Sequence, residues 1–481
     1  MSGLFVPSRI IFAAVDLDQH EAGWIILLLQ YIEARDAGFL YAVSGIFHGG
    51  GLEGFDRLRL DVNKDMDNQH GVSPDDWMVK SVLGCQVDWV NSPSAIVGNP
   101  ARFVMVVRRD WHPRLERCGI RVHDQSLAVP LARYLRRAHH PYLGGTNQMK
   151  AMLMREPGGP EVLSETELPT PAIERPTDLL VRLAAAGVNP IDTKIRARGP
   201  LLPDHLTAVP GCDGAGVVEQ VGDGVSRFKP GDAVWFCHGG LGGPNGNYAE
   251  FIVVDEAVAQ PKPRSLDFVH AAAAPLVLIT AWEALYDRAR LHEGQTVLIH
   301  AGAGGVGHVA IQLARLAGAR VAATVSSPDK ADYVHALGAE CAINYREEDL
   351  VGAIANWTGG TGVDVAFDTV GPEVFRHTIP AMAVYGDLVS ILDPGPVDLK
   401  EARNRNLRIS LELMLTPQLR NLPDAMAYQG SILRRCGDWF DQNKLQVYVG
   451  ETFSLAGAAE AHRRIEAGGT KGKLVLTMDS H

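Results

Sequence analysis

The chain has little cysteine and no cysteine pairing pattern. Its six cysteines, Cys85, Cys118, Cys212, Cys237, Cys341 and Cys436, include no C-x-x-C pair and none with a histidine at zinc-finger spacing. That argues against a disulfide framework and a structural zinc, and points to a reducing, cytoplasmic setting. Long apolar runs are also missing. The stretch Trp24-Ile-Ile-Leu-Leu-Leu-Gln30 is too short to span a bilayer. No basic segment followed by an apolar one opens the chain, so no secretory signal is expected. Excess positive charge is absent as well. A net charge of −11 and a pI near 5.9 argue against bulk binding of nucleic acid or anionic membrane, but not against a local site for a small anion. Lysine is nearly absent from one region: residues 1–148 contain only Lys64 and Lys80.

That last scarcity marks a boundary in a chain long enough, at 481 residues, for about three domains. Residues 1–148 are Arg-rich and poorly periodic. A helix is expected over 24–35 and a short strand over 103–107. His48-Gly-Gly-Gly51 reads as a turn, since no nucleophile elbow accompanies it, and His139-His140 as a surface pair. Two origins remain for this segment. It is a fused accessory domain, or it is an over-extended reading frame with translation starting at Met149. The Arg bias, and a Gly144-Gly145 pair at ribosome-binding spacing before Met149, favour the second.

From Met149 the pattern becomes regular. Short strands are expected over 150–154, 179–185, 214–222, 232–236 and 248–254, punctuated by Gly and Pro. Near residue 271 strands and helices begin to alternate. Helices are expected over 271–289, 307–316 and 330–337, and strands over 296–301, 320–325, 341–344, 363–368 and 387–391. This alternation implies a doubly wound parallel sheet. The pattern ends near residue 415, leaving a helix over 457–467 and a strand over 473–476.

Gly302-Ala303-Gly304-Gly305-Val306-Gly307 fits G-x-G-x-x-G, with an apolar strand before it and an amphipathic helix after it. Gly302 is expected to allow the tight turn, Gly304 to let a pyrophosphate approach the backbone, and Gly307 to let helix and strand pack closely. The helix N-terminus adds free N–H groups and partial positive charge. The end of the next strand decides which dinucleotide fits. NAD sites usually carry an acid there for the ribose 2′-OH. Here the strand ends in Ser326-Ser327, and Asp329, beyond a proline, is expected to cap the following helix. Small hydroxyls with Lys330 suit a 2′-phosphate, so NADPH is the expected cofactor.

"MKAMLMREPGGPEVL", "AAGVNPIDTKIRARGP", "VPGCDGAGVVEQVGDGVSRFKPGDAVW", "HAGAGGVGHVAIQLA", "INYREED", "FDTVG" and "KGKLVL" follow one another between Met149 and the C-terminus. As a set they resemble the medium-chain dehydrogenase/reductase superfamily, in its zinc-independent quinone oxidoreductase (zeta-crystallin-like) branch. The resemblance implies a GroES-like β domain over 149–277 and 419–481 around an inserted Rossmann domain over 278–418, with the active cleft between them, and commonly a homodimer. It also implies that Lys330 and Tyr345 contact the 2′-phosphate with Ser326 between them. Asn189, Thr280, Val370 and Leu392 then lie near the nicotinamide. Zinc-dependent members have a Cys ligand at the position of Asn189 and a His-Glu pair at that of Cys212-Asp213, so a catalytic zinc is not expected. Cys212 is read as a small buried residue.

Without a metal, such a site suits hydride transfer to a quinone or an α,β-unsaturated carbonyl. Asn189 is expected to donate a hydrogen bond to the acceptor carbonyl or the cofactor ribose. Many relatives have tyrosine at the position of Lys194, so Lys194 is a candidate charge or proton donor, with solvent the alternative. Trp235, Tyr248 and Trp282 border the acceptor or belong to the core. Two other readings are an enoyl-thioester reductase, for which neither a tyrosine donor nor a basic patch is evident, and a non-catalytic NADPH-binding protein.

Overall fold

The computed structural model describes residues 148–202, 208–243 and 245–478 with their side chains. Six strands before residue 108 are described by backbone alone. The chain divides into two compact units, Met1–Pro141 and Tyr142–His481.

The first unit contains β1 (Arg9–Asp16), β2 (Trp24–Ile32), β3 (Phe39–His48), β4 (Gly51–Gly54), β5 (Leu58–Leu60) and β6 (Val104–Val107). They form one sheet of order β4-β3-β2-β1-β6, with β5 on β3. The helix expected over 24–35 is therefore a strand. A continuous apolar run has no period to separate the two states, and neighbouring strands supplied the pairing that selected extended backbone. β6 agrees with the strand expected over 103–107. His48 pairs with Gly51 across the β3–β4 connection. His139-His140 and Gly144-Gly145 lie outside the described residues.

The second unit opens with a hairpin of β7 (Gln148–Met154) and β8 (Leu163–Pro169). A seven-stranded sheet follows, made of β9 (Asp178–Val188), β10 (Asp213–Val221), β11 (Ala233–Cys237), β12 (Phe251–Asp255), β13 (Gln260–Pro261), β20 (Val449–Ser454) and β21 (Lys473–Thr477). Its order is β13-β11-β10-β9-β21-β20, with β12 also on β9. β9 is buried along nearly its whole length. β21 pairs antiparallel with its second half, Leu474 opposite Val188 and Leu476 opposite Ala186. The end of the chain thus completes a sheet begun near its first third, as a GroES-like domain requires.

Between them lies a six-stranded, all-parallel sheet of β14 (Thr296–Ile299), β15 (Arg320–Val325), β16 (Cys341–Asn344), β17 (Val363–Asp368), β18 (Met382–Ser390) and β19 (Arg408–Leu411). The order β16-β15-β14-β17-β18-β19 reverses direction at β14, which makes the β14/β17 boundary a switch point of a Rossmann sheet. β19 was not foreseen; it is a four-residue, partly exposed edge strand, although Leu407, Ile409, Leu411 and Leu413 alternate with polar residues through it.

The helices that position the site are α1 (Pro190–Arg198), α2 (Pro275–Trp282), α3 (Gly305–Leu316), α4 (Pro328–Leu337), α5 (Pro423–Asp441) and α6 (Ala458–Glu466). The helix expected over 271–289 is broken. A short helix ends at Ala273, Pro275 begins α2, and a π-helical turn, Glu283–Arg288, continues it. Proline lacks the N–H that an uninterrupted helix would use there. α5 was also unforeseen. Its Gly430 lowers helix propensity, yet a Cβ there would lie 2.7 Å from the Ala257 carbonyl, so close packing requires the glycine.

Candidate functional site

The glycine turn leaves β14 at its carboxyl end. His300 N–H still bonds to Phe367 on β17, and Gly302 N–H bonds to Thr324 on β15. The left-handed residue of the turn is Ala301, at φ +49°, rather than Gly302. Gly302 is constrained differently: a Cβ there would stand 2.7 Å from the Cβ of Ala323 on β15. At Gly307 a Cβ would stand 2.2 Å from the Ala301 carbonyl oxygen, so α3 lies against the strand end at a distance only glycine permits. Gly304 is the N-cap of α3 and makes no side-chain cap. The N–H groups of Gly305, Val306 and Gly307, in the first helical turn, have no intrahelical acceptor. Together with the helix dipole they suit a phosphate anion. Ala303 faces the other domain, its carbonyl accepting the Gly472 N–H at 2.9 Å.

The ends of β15 and β16 collect the adenosine-side residues. Ser326 follows β15 directly, and Lys330 Nζ donates to its hydroxyl at 3.2 Å. The same ammonium donates to the Gly469 carbonyl at 3.1 Å. Tyr345 follows β16, is exposed, and its N–H bonds to Val325 at 3.2 Å. Asp329 does not cap α4. Ser327 is the N-cap and Asp329 sits inside the first turn, because Pro328 occupies the first helical position.

On the opposite side of the switch point, Val370 and Leu392 follow β17 and β18. The Asp368 carboxylate holds both loops, accepting the Val370 and Gly371 N–H groups at 2.9 and 3.0 Å and the Ser390 hydroxyl at 2.8 Å. Leu392 lies close to Gly371. Val370 is exposed and Leu392 half-buried. Thr280 is buried on α2, and its hydroxyl donates to the Leu276 carbonyl at 2.7 Å.

Asn189 follows β9 and is the N-cap of α1, where the Asp192 side chain reaches back to its N–H. Its side chain is fully buried. Nδ2 donates to Asp213 Oδ2 at 2.9 Å, and Oδ1 accepts from the Lys473 ammonium. Lys473, at the start of β21, also donates to the Val188 carbonyl at 3.0 Å and stands 3.9 Å from the Asp213 carboxylate. Asp213 Oδ1 accepts the Leu276 N–H of α2 at 2.8 Å. Asp192 Oδ2 accepts the Asn189 N–H at 2.8 Å and the Tyr248 hydroxyl at 3.1 Å, and that hydroxyl lies 3.2 Å from His462 Nε2. Burial drives these titrations. The Asp192 carboxyl is raised to about 7 by desolvation, and Asp213 is raised by the same cause despite Lys473. Desolvation lowers Lys473 below the usual lysine range and takes His462 to about 3. Cys212 is fully buried, as expected, and burial raises its thiol.

The residues at the zinc-ligand positions do not fit a metal. The Asn189 oxygen is spent on Lys473, so a cation already stands beside Asn189 and Asp213. Among the described residues no group of three or more His, Cys, Asp and Glu side chains is placed to hold a metal ion.

Lys194 is different. It is half-buried on α1, and no hydrogen bond or ion pair engages it among the described residues. Burial, with the neighbouring Arg198, lowers its pKa. Trp235 and Tyr248 are fully buried in the core, whereas Trp282 is partly buried and stacks on Trp439 at 5.7 Å. Sequence reasoning missed the roles of Asp192, His462 and Lys473. The one available signal was the lysine opening the apolar strand of "KGKLVL".

A GroES-like sheet closed by the chain's end, around a Rossmann sheet with its glycine turn, defines a dinucleotide-dependent oxidoreductase of the two-domain type. Residues 175–264 match the alcohol dehydrogenase GroES-like domain and residues 337–476 the zinc-binding dehydrogenase family. Rat quinone oxidoreductase is 31% identical over 69% of this chain and 99% of its own. A 2-haloacrylate reductase from a Burkholderia species is 33% identical over 68% of this chain and 98% of its own. A mycobacterial protein, solved in complex with NADPH, is 32% identical with a TM-score of 0.60, covering 68% of this chain and 99% of its own. The chain belongs to the medium-chain dehydrogenase/reductase superfamily, in its quinone oxidoreductase branch.

Proposed function

We propose that the protein is an NADPH-dependent oxidoreductase that passes hydride to a quinone or an α,β-unsaturated carbonyl without zinc. The observation that carries the cofactor reading is the Lys330–Ser326 contact at the end of β15, with no carboxylate at that position. A 2′-phosphate there meets a cation, a hydroxyl and Tyr345, where an acid would repel it. When bound, the cofactor supplies the hydride from its nicotinamide ring.

The chain's own residues do the rest. The first-turn N–H groups of Gly305, Val306 and Gly307 hold the pyrophosphate. Thr280, Val370 and Leu392 border the nicotinamide. Asn189, buried and bonded at both ends of its amide, fixes the start of α1 and so aims Lys194 at the acceptor. The Lys194 ammonium supplies positive charge to the developing oxyanion and can release a proton to it. The quinone oxidoreductase relatives support a quinone acceptor, and the 2-haloacrylate reductase supports an activated alkene. A cytoplasmic homodimer belongs to the same reading. The outer edge of β19 has no partner strand among the described residues, and Leu411 at its end and Leu413 just beyond are exposed, which supports self-association.

The test is a titration with NADPH and NADH, followed by a screen of quinones and enals. Tighter NADPH binding with quinone-dependent oxidation is expected. Tight binding with no turnover would instead favour a non-catalytic NADPH-binding protein.

A further inference from the structure

We propose that Lys473 is a positioning residue, the resident cation that orients the Asn189 amide and locks α1 to the glycine turn. Three observations meet at this side chain. Its ammonium bonds to Asn189 Oδ1 and the Val188 carbonyl, which leaves Nδ2 to face Asp213 and forbids the flipped amide. Its aliphatic stem lies against the turn, so that a Cβ built on Gly305 would stand 3.2 Å from Lys473 Cδ. The preceding residue, Gly472, donates to the Ala303 carbonyl of the turn. A single buried side chain from the last strand therefore touches the cofactor turn at its stem and the N-cap of α1 at its tip.

Electrostatics favours this arrangement over coincidence. Two buried carboxyls, Asp192 and Asp213, lie on the α1 and β10 sides, and Lys473 is the cation facing both. Cys212, Cys237 and Tyr248 also face the carboxyls, and His308 of α3 faces the lysine, each with burial favouring its neutral form. A buried carboxylate without its cation is costly, so the ammonium is held in place and Asn189 with it. Displacement of α1 displaces Lys194, one turn further on.

The experiment compares Lys473→Met and Lys473→Arg in the full chain. With NADPH and a quinone, Lys473→Met should lower kcat by about tenfold or more, as expected when buried partners are left unpaired. KM for the quinone should change much less, and Lys473→Arg should recover most of the loss. A folded Lys473→Met protein with unchanged kcat, or an arginine variant no better than methionine, overturns the proposal. Only this kinetic arm rests on the function proposed above. A second arm is independent of catalysis: thermal stability at pH 6 and pH 8. Lys473→Met should lose more at pH 8, where ionised carboxyls lack their cation, and adding Asp213→Asn should restore part of that loss. An equal loss at both pH values overturns the proposal, whereas absence of turnover in the wild-type protein overturns only the quinone reading.

Discussion

One ammonium serves two elements: Lys330 Nζ donates to the Ser326 hydroxyl at 3.2 Å and to the Gly469 carbonyl at 3.1 Å. The cation at the end of β15 is thus shared with the loop before β21. Lys330→Ala should weaken NADPH binding by about tenfold, ~1.4 kcal/mol, while NADH binding stays within about twofold. Ser326→Asp should reverse the preference. Dissociation constants from nicotinamide fluorescence check both, and equal losses for the two cofactors would falsify the 2′-phosphate assignment.

Gly307→Ala should disrupt the turn. The new methyl would meet the backbone oxygen of Ala301 at 2.2 Å, and a backbone atom has little freedom to retreat. A destabilisation of roughly 1–3 kcal/mol is expected from overpacking, together with weakened NADPH affinity. Denaturant unfolding and a binding titration measure the two effects separately.

Asn189→Ala should reduce turnover with a quinone and also stability. The truncation leaves the Lys473 ammonium and the Asp213 carboxylate each without one partner inside the protein. The expected cost is about 1–3 kcal/mol. Steady-state kinetics beside a melting curve tests this; unchanged kinetics would remove Asn189 from the working site.

Asp192 predicts a pH dependence of stability. Burial raises its folded pKa from 3.8 to about 7, so between those values the folded state holds a proton that the unfolded chain has released. Stability from this group is therefore full at low pH and falls as pH rises toward 7. Asn at this position can still accept from the Asn189 N–H and the Tyr248 hydroxyl, so Asp192→Asn should flatten that fall. Glu283, raised to about 8 mainly by burial, acts in the same direction and extends the remaining slope to higher pH. Melting temperatures across pH 4–8 provide the comparison.

A chain beginning at Met149 should fold and bind NADPH with affinity within about twofold of the full chain. The described relatives align almost end to end with only about two thirds of this chain, and the second compact unit begins at Tyr142. Peptide mapping of the native protein checks the related expectation. A peptide from residues 1–140 at full stoichiometry would rule out over-extension.

Much of the Rossmann sheet was legible because its signals are local. β14 is an apolar run followed within eight residues by four glycines, and Ser326 and Lys330 stand four residues apart around a proline. β19 and α5 stood outside the expected pattern: one is a four-residue edge strand with only half its residues apolar, and the other carries a glycine that only a packed neighbour explains. In residues 24–32 the apolar run was visible but its conformation was not, since periodicity cannot separate a buried strand from a buried helix.

The sequence by itself determined the family, the glycine turn and the set of residues at the strand ends, because strand, turn and helix there are contiguous and each residue type has a local steric or electrostatic reason. Only the tertiary structure decided how the chemistry is held. Asn189 meets Asp213 across 24 residues and Lys473 across 284, and no local pattern encodes either pairing. Burial then decides their protonation, for a carboxyl takes its pKa from the groups that exclude water around it.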